Sequence, residues 1–225
     1  MNNNSTNENG RAVLLLNGVN DLPLKDVRDL VASSNLFICT DGAARYALKR
    51  DLIPDVVIGD LDSITPEDLV RARSEDAQIV KLPEQESGDC EKALRWLLAN
   101  GIDQVVVLGH GGGGRQDHTL TNYSVLMRYA SKFPVFMAYD LNHKIQFMHM
   151  PGEIRLRGWA GRRVSLIPYP ISLRVTLRGF LYPLNDEDLM LGVREGLSNR
   201  MLSDEASISM ASGAMLVFLE RVQSQ

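Results

Sequence analysis

Cysteine is scarce in this chain of 225 residues, which contains only Cys39 and Cys90. Two cysteines provide no set of spacings from which a disulfide framework could be built. Cys39 lies within the apolar run Leu36-Phe37-Ile38-Cys39, where a buried and reduced thiol is expected. The four histidines also lack the spacing of metal ligands. We therefore predict neither a structural disulfide nor a histidine-based metal site.

Long apolar runs and an excess of basic residues are absent as well. No segment approaches the ~20 apolar residues of a membrane span. The N-terminal stretch MNNNSTNENG lacks the basic region of a signal peptide and reads as a disordered tail over residues 1–10. The net charge is −4, so the chain lacks the excess of basic residues that binding to a nucleic-acid backbone requires. These features predict a cytoplasmic protein that binds neither membranes nor nucleic acid.

The first 140 residues alternate short apolar runs with amphipathic segments. Thr65-Pro66-Glu67-Asp68 has the hydroxyl cap, first-turn proline and acidic residues of a helix start, and a second helix is expected from Asp89 to a stop at Gly101. This alternation predicts a mostly parallel α/β sheet covered on both faces. The predicted strands are Ala12–Leu16, Leu36–Thr40, Asp55–Ile58, Gln78–Leu82, Gln104–Leu108 and Val135–Tyr139.

After about residue 142 the pattern changes to short segments, several of them alternating, between proline and glycine turn signals. This spacing predicts an antiparallel β-sandwich or roll. We therefore expect an α/β nucleotide-binding domain over residues 11–142 and an all-β domain over 143–225. The segments predicted as strands are Lys144–His149, Arg163–Pro168, Leu173–Arg178, Ala206–Met210 and Ala214–Glu220.

One strand, within the stretch VVIGDLDSI, ends in two carboxylates, Asp60 and Asp62. On an extended backbone, side chains two residues apart point the same way, about 6–7 Å apart. Two such charges repel by about 2–3 kcal/mol at an effective dielectric constant of about 20. A surface turn would lower that cost through solvation, and a divalent cation would convert the repulsion into attraction.

Further acidic residues follow other predicted strands. Asp41 follows the second strand, Asp89 opens the helix after the fourth, and Asp117 lies beyond the fifth. Each alone is as consistent with a helix cap or turn as with a site. Together, however, carboxylates at one sheet edge repel each other unless protons or hard cations lie between them, and Mg²⁺ prefers such oxygen ligands.

A glycine-rich loop, Gly109 to His118, follows the fifth predicted strand. Its G-x-G-x-x-G spacing suggests a dinucleotide fingerprint, but that fingerprint belongs after the first strand. A hydrolase oxyanion loop is excluded because the chain has no G-x-S-x-G. A phosphate cradle remains, in which glycine N–H groups and Arg115 bind the anion. Since the chain has no Walker lysine motif, its nucleotide chemistry is not of the P-loop type.

Several short motifs, taken together and in order, resemble thiamine pyrophosphokinases. The resemblance implies an ATP-binding α/β domain, a β domain and a homodimer with thiamine near the subunit interface. It also implies that the thiamine hydroxyl attacks the β-phosphorus of Mg-ATP, so that AMP leaves. The motifs are Asp41-Gly42, Gly59-Asp60-Leu61-Asp62-Ser63, Asp89 with Lys92-Ala93-Leu94, Gly113-Gly114-Arg115-Gln116-Asp117-His118-Thr119 and Gly196-Leu197-Ser198-Asn199.

The resemblance also implies roles for individual residues. The catalytic residues would be Asp41, Asp60, Asp62, Asp89 and Asp117. Metal ligands among them would be Asp60, Asp62 and Asp89, with Asp41 or Asp62 orienting or deprotonating the alcohol. Contacts to ATP and its phosphates would come from Gly42, Gln85, Gly111, Gly112, Gly113, Arg115 and His118. Thiamine would contact Ser198 and Asn199.

The chain departs from the family pattern at two positions near these motifs. Gly88 stands where a threonine is common, which removes one hydroxyl contact, and Ala43 replaces a second glycine. Two other functions remain open at this point. One is pyrophosphoryl transfer to another alcohol, such as a hydroxymethyl-pterin, and the other is a non-catalytic nucleotide-binding module.

Overall fold

A computed structural model describes residues 10–112, 114–149 and 152–222. The chain divides into two compact units, residues 1–136 and 137–225. Of the predicted tail at residues 1–10, only Gly10 is described, and it begins the first strand. Cys39 and Cys90 are both free and buried.

The first unit alternates strands with helices. Its strands are β1 (Gly10–Leu15), β2 (Leu36–Thr40), β3 (Val56–Gly59), β4 (Gln78–Lys81) and β5 (Ile102–Leu108). Its helices are α1 (Leu24–Ala32), α2 (Asp41–Leu48), α3 (Pro66–Ser74), α4 (Asp89–Ala99) and α5 (Gln116–Ala130). A further strand, β6 (Val135–Tyr139), crosses the division between the units.

Strands β1 to β5 form a parallel sheet in the order β4-β3-β2-β1-β5. The chain moves outward from β1 to β4 and then returns to the other side of β1, so the direction reverses between β1 and β5. The apolar runs of β1, β2, β3 and β5 are buried, as expected for a sheet covered on both faces, whereas the edge strand β4 is partly exposed. The predicted parallel α/β sheet is thus confirmed.

Local signals fix two of the helices in this unit. The Thr65 side chain accepts a hydrogen bond of 3.2 Å from the backbone N–H of Asp68, so α3 begins with the predicted cap. After α4, Gly101 adopts φ +74°, a left-handed conformation that glycine adopts without steric cost. The predicted start and stop signals are both confirmed.

The second unit is antiparallel, as predicted. Its strands are β7 (His143–His149), β8 (Gly152–Arg157), β9 (Arg163–Arg178), β10 (Glu187–Met190), β11 (Gly196–Arg200), β12 (Glu205–Met210) and β13 (Ser212–Glu220). The long strand β9 pairs with β10, β11, β12 and β13, while β13 also pairs with β7 and β12 with β8. Apolar side chains of these strands, among them Val164, Val175 and Ile208, form one buried cluster.

Strand β9 corrects one sequence prediction. Arg163–Pro168 and Leu173–Arg178 were expected as separate strands with prolines as turn signals, but they form one strand. The register against β13 shifts between Gly213 and Met215, opposite Ser172 and Pro168. A bulge tolerates a residue without a backbone N–H, so the prolines lie at an irregularity of the ladder rather than at a turn. Strands β8, β10 and β11 were not predicted.

Among the described residues, we find no helix that combines the length and the apolar character needed to cross a membrane.

Candidate functional site

Asp60 and Asp62 lie in a tight turn at the end of β3, not on extended backbone as the sequence suggested. Leu61 between them has φ +69°, an uncommon value for a residue other than glycine. The Asp62 backbone N–H donates a hydrogen bond of 3.2 Å to Asp60 Oδ1, and the Ser63 hydroxyl donates one of 2.8 Å to Asp62 Oδ1. The turn therefore brings the two carboxylates closer than an extended strand would.

Asp41 is the first residue of α2 and is only 1 % exposed. Its Oδ1 accepts a bond of 2.7 Å from the Gly42 N–H, and its Oδ2 accepts one of 3.3 Å from the Ser63 N–H. A side chain at Gly59 would place Cβ 2.9 Å from the Asp41 carboxyl carbon. Glycine at position 59 is what leaves room for this buried carboxylate.

The three aspartates form one cluster. Asp41, Asp60 and Asp62 each offer a carboxylate oxygen, and these oxygens lie within 4.8 Å of one another. Three carboxylates with no nitrogen or sulfur ligand are a donor set that suits Mg²⁺. The arrangement therefore fits the divalent cation implied by the sequence, with the buried Asp41 as a member that was predicted to be catalytic rather than a ligand.

Asp89 lies outside this group of three, but the negative charges of two of its members act on the Asp89 carboxylate. Burial raises the pKa of Asp89, and the negative charges of Asp41 and Asp60 raise it further. The Lys92 ammonium lies 3.3 Å from Asp89 Oδ1 and opposes that shift. Its proposed role as a metal ligand stays a prediction.

Gln85 contacts the cluster directly. Its amide donates a hydrogen bond of 3.1 Å to Asp60 Oδ2. The pKa of Asp60 is lowered chiefly because the Asp62 backbone N–H and this Gln85 amide stabilise its charged form. Asp60 therefore keeps its negative charge at neutral pH even though other carboxylates lie beside it.

The glycine-rich loop after β5 is bonded to the segment after β1. Leu16 N–H donates to Leu108 O, Gly18 N–H to Gly109 O and Val19 N–H to Gly111 O, at 2.8–2.9 Å. Gly109 has φ +63°, and a Cβ there would lie 2.3 Å from the Leu16 carbonyl oxygen. The loop thus lies where the strand order reverses, which is where ligands bind in open α/β sheets.

Arg115 and Asp117 form a two-pronged ion pair at the start of α5. The Arg115 Nε donates to Asp117 Oδ1 at 3.0 Å, and Nη2 donates to Oδ2 at 2.6 Å. The pair lowers the pKa of Asp117. His118 follows and is exposed, as are Gly112 and Gly114, whereas Gly111 is half-buried. Gly113, predicted to contact phosphate, lies outside the described residues.

The two predicted thiamine contacts in the second unit behave differently from each other. Ser198 is exposed, has φ +54° and lines a pocket of about 580 Å³. Asn199 is 4 % exposed; its Nδ2 donates to Tyr182 O at 2.7 Å and its Oδ1 accepts from Tyr182 N–H at 3.0 Å. The Asn199 side chain therefore braces a neighbouring backbone segment. The remaining pocket residues are Asn142, His143, Arg163, Ser165, Phe218, Glu220 and Arg221.

Two residues of this region were not singled out from the sequence. Asn17 comes two residues after β1, and its side chain packs against Gly42 of α2. A Cβ at Gly42 would lie 2.2 Å from Asn17 Nδ2. Lys92 was noted only as part of a motif, yet its side chain is 2 % exposed and touches Asp89. A polar residue just after a central strand, and a lysine three positions after a site aspartate on a helix, are the signals that would have identified them.

Comparison with known proteins assigns both parts of the chain to one family. The model described as "Thiamin pyrophosphokinase, catalytic domain" matches residues 27–137. The model described as "Thiamin pyrophosphokinase, vitamin B1 binding domain" matches residues 142–215. Together the two matches cover most of the chain and include the acidic cluster, the glycine loop and the Ser198 segment.

Relatives with this name align along most of the chain. Thiamine pyrophosphokinase from Bacillus subtilis is 29 % identical over 197 residues, covering 86 % of this chain and 91 % of its own length. Its crystal structure superposes with a TM-score of 0.80 over 95 % of this chain and 100 % of that one, at 26 % identity. Yeast thiamin pyrophosphokinase shares the fold, with a TM-score of 0.80 over 96 % of this chain and 87 % of its own, at 17 % identity. The resemblance seen in the motifs is confirmed: the chain belongs to the thiamine pyrophosphokinase family of enzymes.

Proposed function

We propose that this enzyme transfers the β,γ-diphosphate of Mg-ATP to the hydroxyl of thiamine, which yields thiamine diphosphate and AMP. The observation that supports this most directly is the convergence of Asp41, Asp60 and Asp62 within 4.8 Å at the carboxyl edge of the parallel sheet. Phosphoryl-type transfer depends mainly on positioning and on neutralising charge. A carboxylate cluster beside a glycine loop provides for both requirements.

The carboxylates would hold Mg²⁺ and orient the acceptor. Asp60, with its lowered pKa, stays ionised, and Asp41 and Asp62 complete an oxygen-only set. A bound Mg²⁺ neutralises phosphate charge and aligns the phosphate oxygens. Asp89 borders the cluster, and one of these aspartates receives the proton that the thiamine hydroxyl loses on attack.

Arg115 and the glycine loop would bind the phosphates. Asp117 engages the Nε and Nη2 edge of the guanidinium, which fixes its orientation. A guanidinium has five N–H donors, so the edge with Nη1 is suited to a phosphate oxygen. Gly111 and Gly112 would allow backbone N–H groups to approach the nucleotide closely, whereas the Gly42 N–H already donates to Asp41 Oδ1.

Thiamine would be recognised by the second unit. The pocket lined by Ser198 and Phe218 offers a hydroxyl and an aromatic ring, groups that suit the polar aminopyrimidine and the cationic thiazolium of thiamine. In this proposal Ser198 contacts the substrate, while Asn199 holds the adjoining backbone in place through its bonds to Tyr182.

The enzyme would act as a homodimer in the cytoplasm. Support for the dimer is a stretch of the second unit that exposes seven large apolar side chains to solvent, more than isolated surface residues require. We refer to this stretch as the apolar stretch. Its exposed members are Leu181, Tyr182, Met190, Leu191, Val193, Leu197 and Leu202.

The test is product analysis after incubation with Mg-ATP and thiamine. We expect equal amounts of AMP and thiamine diphosphate. ADP with thiamine monophosphate would instead identify an ordinary kinase and contradict the proposal. A panel of acceptors that includes a hydroxymethyl-pterin tests the substrate, and preference for the pterin would exclude thiamine as the physiological acceptor. Neither the pterin alternative nor a non-catalytic module is favoured, because both parts of the chain match thiamine pyrophosphokinases.

A further inference from the structure

Lys92 is a buried charge next to the acidic cluster. It lies in the second turn of α4 and its side chain is 2 % exposed. Its ammonium lies 3.3 Å from Asp89 Oδ1, while the Asp89 side chain is 35 % exposed. A substrate therefore meets Asp89 before it meets Lys92, so Lys92 acts through its neighbour rather than by direct contact.

A lysine in this position needs an electrostatic reason. Removing an ammonium from water is costly unless opposite charge and hydrogen bonds compensate for it. Here the compensation comes from Asp89, and the effect extends to the cluster, since the positive charge of Lys92 also favours the ionised form of Asp60. The buried ammonium of Lys92 thus acts on two of the four carboxylates of this region, Asp89 by contact and Asp60 through its charge.

Fixed positive charge and a bound cation compete for the same carboxylates. Before a metal binds, Lys92 relieves part of the repulsion among them. After binding, the metal does so more strongly, and Lys92 then repels the metal. A buried lysine at this position therefore stabilises the metal-free site and weakens its hold on a divalent cation.

We infer that Lys92 is a positioning residue that holds the acidic site together without metal and sets its divalent-cation affinity below what the carboxylates alone would give. The inference rests on the proposed function of Asp41, Asp60 and Asp62 as the metal site. It goes beyond that function because it assigns a second, opposing task to a residue that contacts neither metal nor substrate.

The test compares Lys92→Met with the wild-type enzyme in two measurements. Methionine keeps the unbranched apolar stem and removes the charge. Binding of Mn²⁺ alone, without nucleotide, is followed through the electron paramagnetic resonance signal of the free ion. We expect Lys92→Met to bind Mn²⁺ about 10-fold more tightly or better. In chelator, its Tm should fall by roughly 10 °C, as when one partner of a buried ion pair is lost.

Two further variants serve as controls. Lys92→Arg tests the effect of changing the side chain while keeping its charge, and Lys25→Met tests the effect of removing a lysine elsewhere in the same unit. Lys92→Arg keeps the charge and should keep the Mn²⁺ affinity near that of the wild type. Lys25→Met removes a lysine from an exposed pair with Asp29 in the same unit, and it should change neither measurement. A Mn²⁺ affinity of Lys92→Met that is unchanged or weaker, despite a lower Tm, would overturn the inference and leave Lys92 with a packing role.

Two other results are equally decisive. If Lys92→Met does not fold in chelator, its refolding with added Mn²⁺ is measured; recovery supports the inference and failure to recover contradicts it. If the wild-type enzyme binds Mn²⁺ no better than Asp60→Asn, the metal site itself is wrong, and the inference falls with it. If Asp60→Asn abolishes Mn²⁺ binding but Lys92→Met leaves it at the wild-type level, the metal site is supported and only the role of Lys92 is contradicted.

Discussion

At the scale of single residues, the site depends on backbone conformations that ordinary residues avoid. Leu61 is held at φ +69° between Asp60 and Asp62, a conformation that costs free energy in a bulky residue. Gly59 leaves the space that the buried Asp41 carboxylate fills. Strain and repulsion concentrated in so few residues are typical of a site that gains free energy when its ligand arrives.

Replacing Asp60 or Asp62, the two less buried members of the cluster, should remove activity and leave the fold intact. For Asp60→Asn and Asp62→Asn we expect kcat/KM to fall by at least about 10²-fold, because charge that stabilises the transition state is lost. The Tm in chelator should stay the same or rise slightly, since one repelling charge is gone. Steady-state kinetics and thermal unfolding measure the two effects.

Asp76→Asn is the matched control for these variants. Asp76 is an exposed aspartate of the same unit with φ +65°, a conformation that asparagine accepts. Its replacement should change neither kinetics nor Tm. Wild-type turnover in Asp60→Asn and Asp62→Asn would show that the cluster does not take part in catalysis.

At the scale of elements, the segments that follow β1 and β5 hold each other in place. Backbone hydrogen bonds join Gly18 and Val19 to the glycine-rich loop, and a third joins Leu16 to Leu108 at the end of β5. Glycine at position 109 allows that approach, because any side chain there would place its Cβ against the Leu16 carbonyl oxygen. The phosphate-binding loop of the proposed site is therefore anchored to the central strand of the sheet.

A side chain at Gly109 should break this contact. Gly109→Ala introduces strain at φ +63° and a Cβ 2.3 Å from Leu16 O, so we expect a loss of roughly 2–4 kcal/mol in the free energy of unfolding. Denaturant unfolding measures it. Gly114→Ala is the control, since a Cβ there has nothing within 4 Å, and its stability should stay within about 1 kcal/mol of the wild type. Equal stability of the two variants would contradict the proposed anchoring.

Much of this arrangement followed from local patterns. Buried apolar runs, the Thr65 cap and the stop at Gly101 predicted the parallel unit, and strand-end aspartates predicted the acidic edge. The turn at Leu61 could not be predicted, because leucine rarely adopts positive φ and tertiary contacts impose it. The continuity of β9 through Pro168 depends on a register shift against β13, a long-range pairing that no local proline signal reveals.

Some contacts were also beyond a local pattern. The contact of Lys92 with Asp89 could be predicted from their spacing of three residues on a helix, but the burial of the Lys92 side chain could not, because the fold imposes it. Asn199 was predicted to contact thiamine, but the side chain's bonds to Tyr182 involve a segment 17 residues away. Such roles depend on which backbone happens to lie opposite, and one sequence does not contain that information.

At the scale of the whole molecule, the apolar stretch predicts the assembly. Val193 is 76 % exposed and Leu197 is 60 % exposed, and burying such side chains against a second copy would be favourable at about 25 cal/mol per Å². We expect light scattering to give twice the 25.0 kDa of one chain. Val193→Asp should shift the protein toward the monomer.

Val70→Asp provides the comparison for the dimer prediction. Val70 is 64 % exposed on α3 and lies outside the apolar stretch, so a charge there should leave the mass unchanged. A wild-type mass of 25.0 kDa, or a Val193→Asp variant as dimeric as Val70→Asp, would contradict this assignment of the interface.

The burial of Asp41 beside two more accessible aspartates has a consequence for the order of events in turnover. A cation held by Asp41, Asp60 and Asp62 would be shielded from solvent on the side of Asp41, whereas the side of the exposed Asp62 would stay open to water. That hydrated side is free for oxygens of the nucleotide. If these carboxylates hold the cation, their unequal burial would suit an ion that is exchanged together with ATP at each cycle better than one kept as a permanent part of the protein.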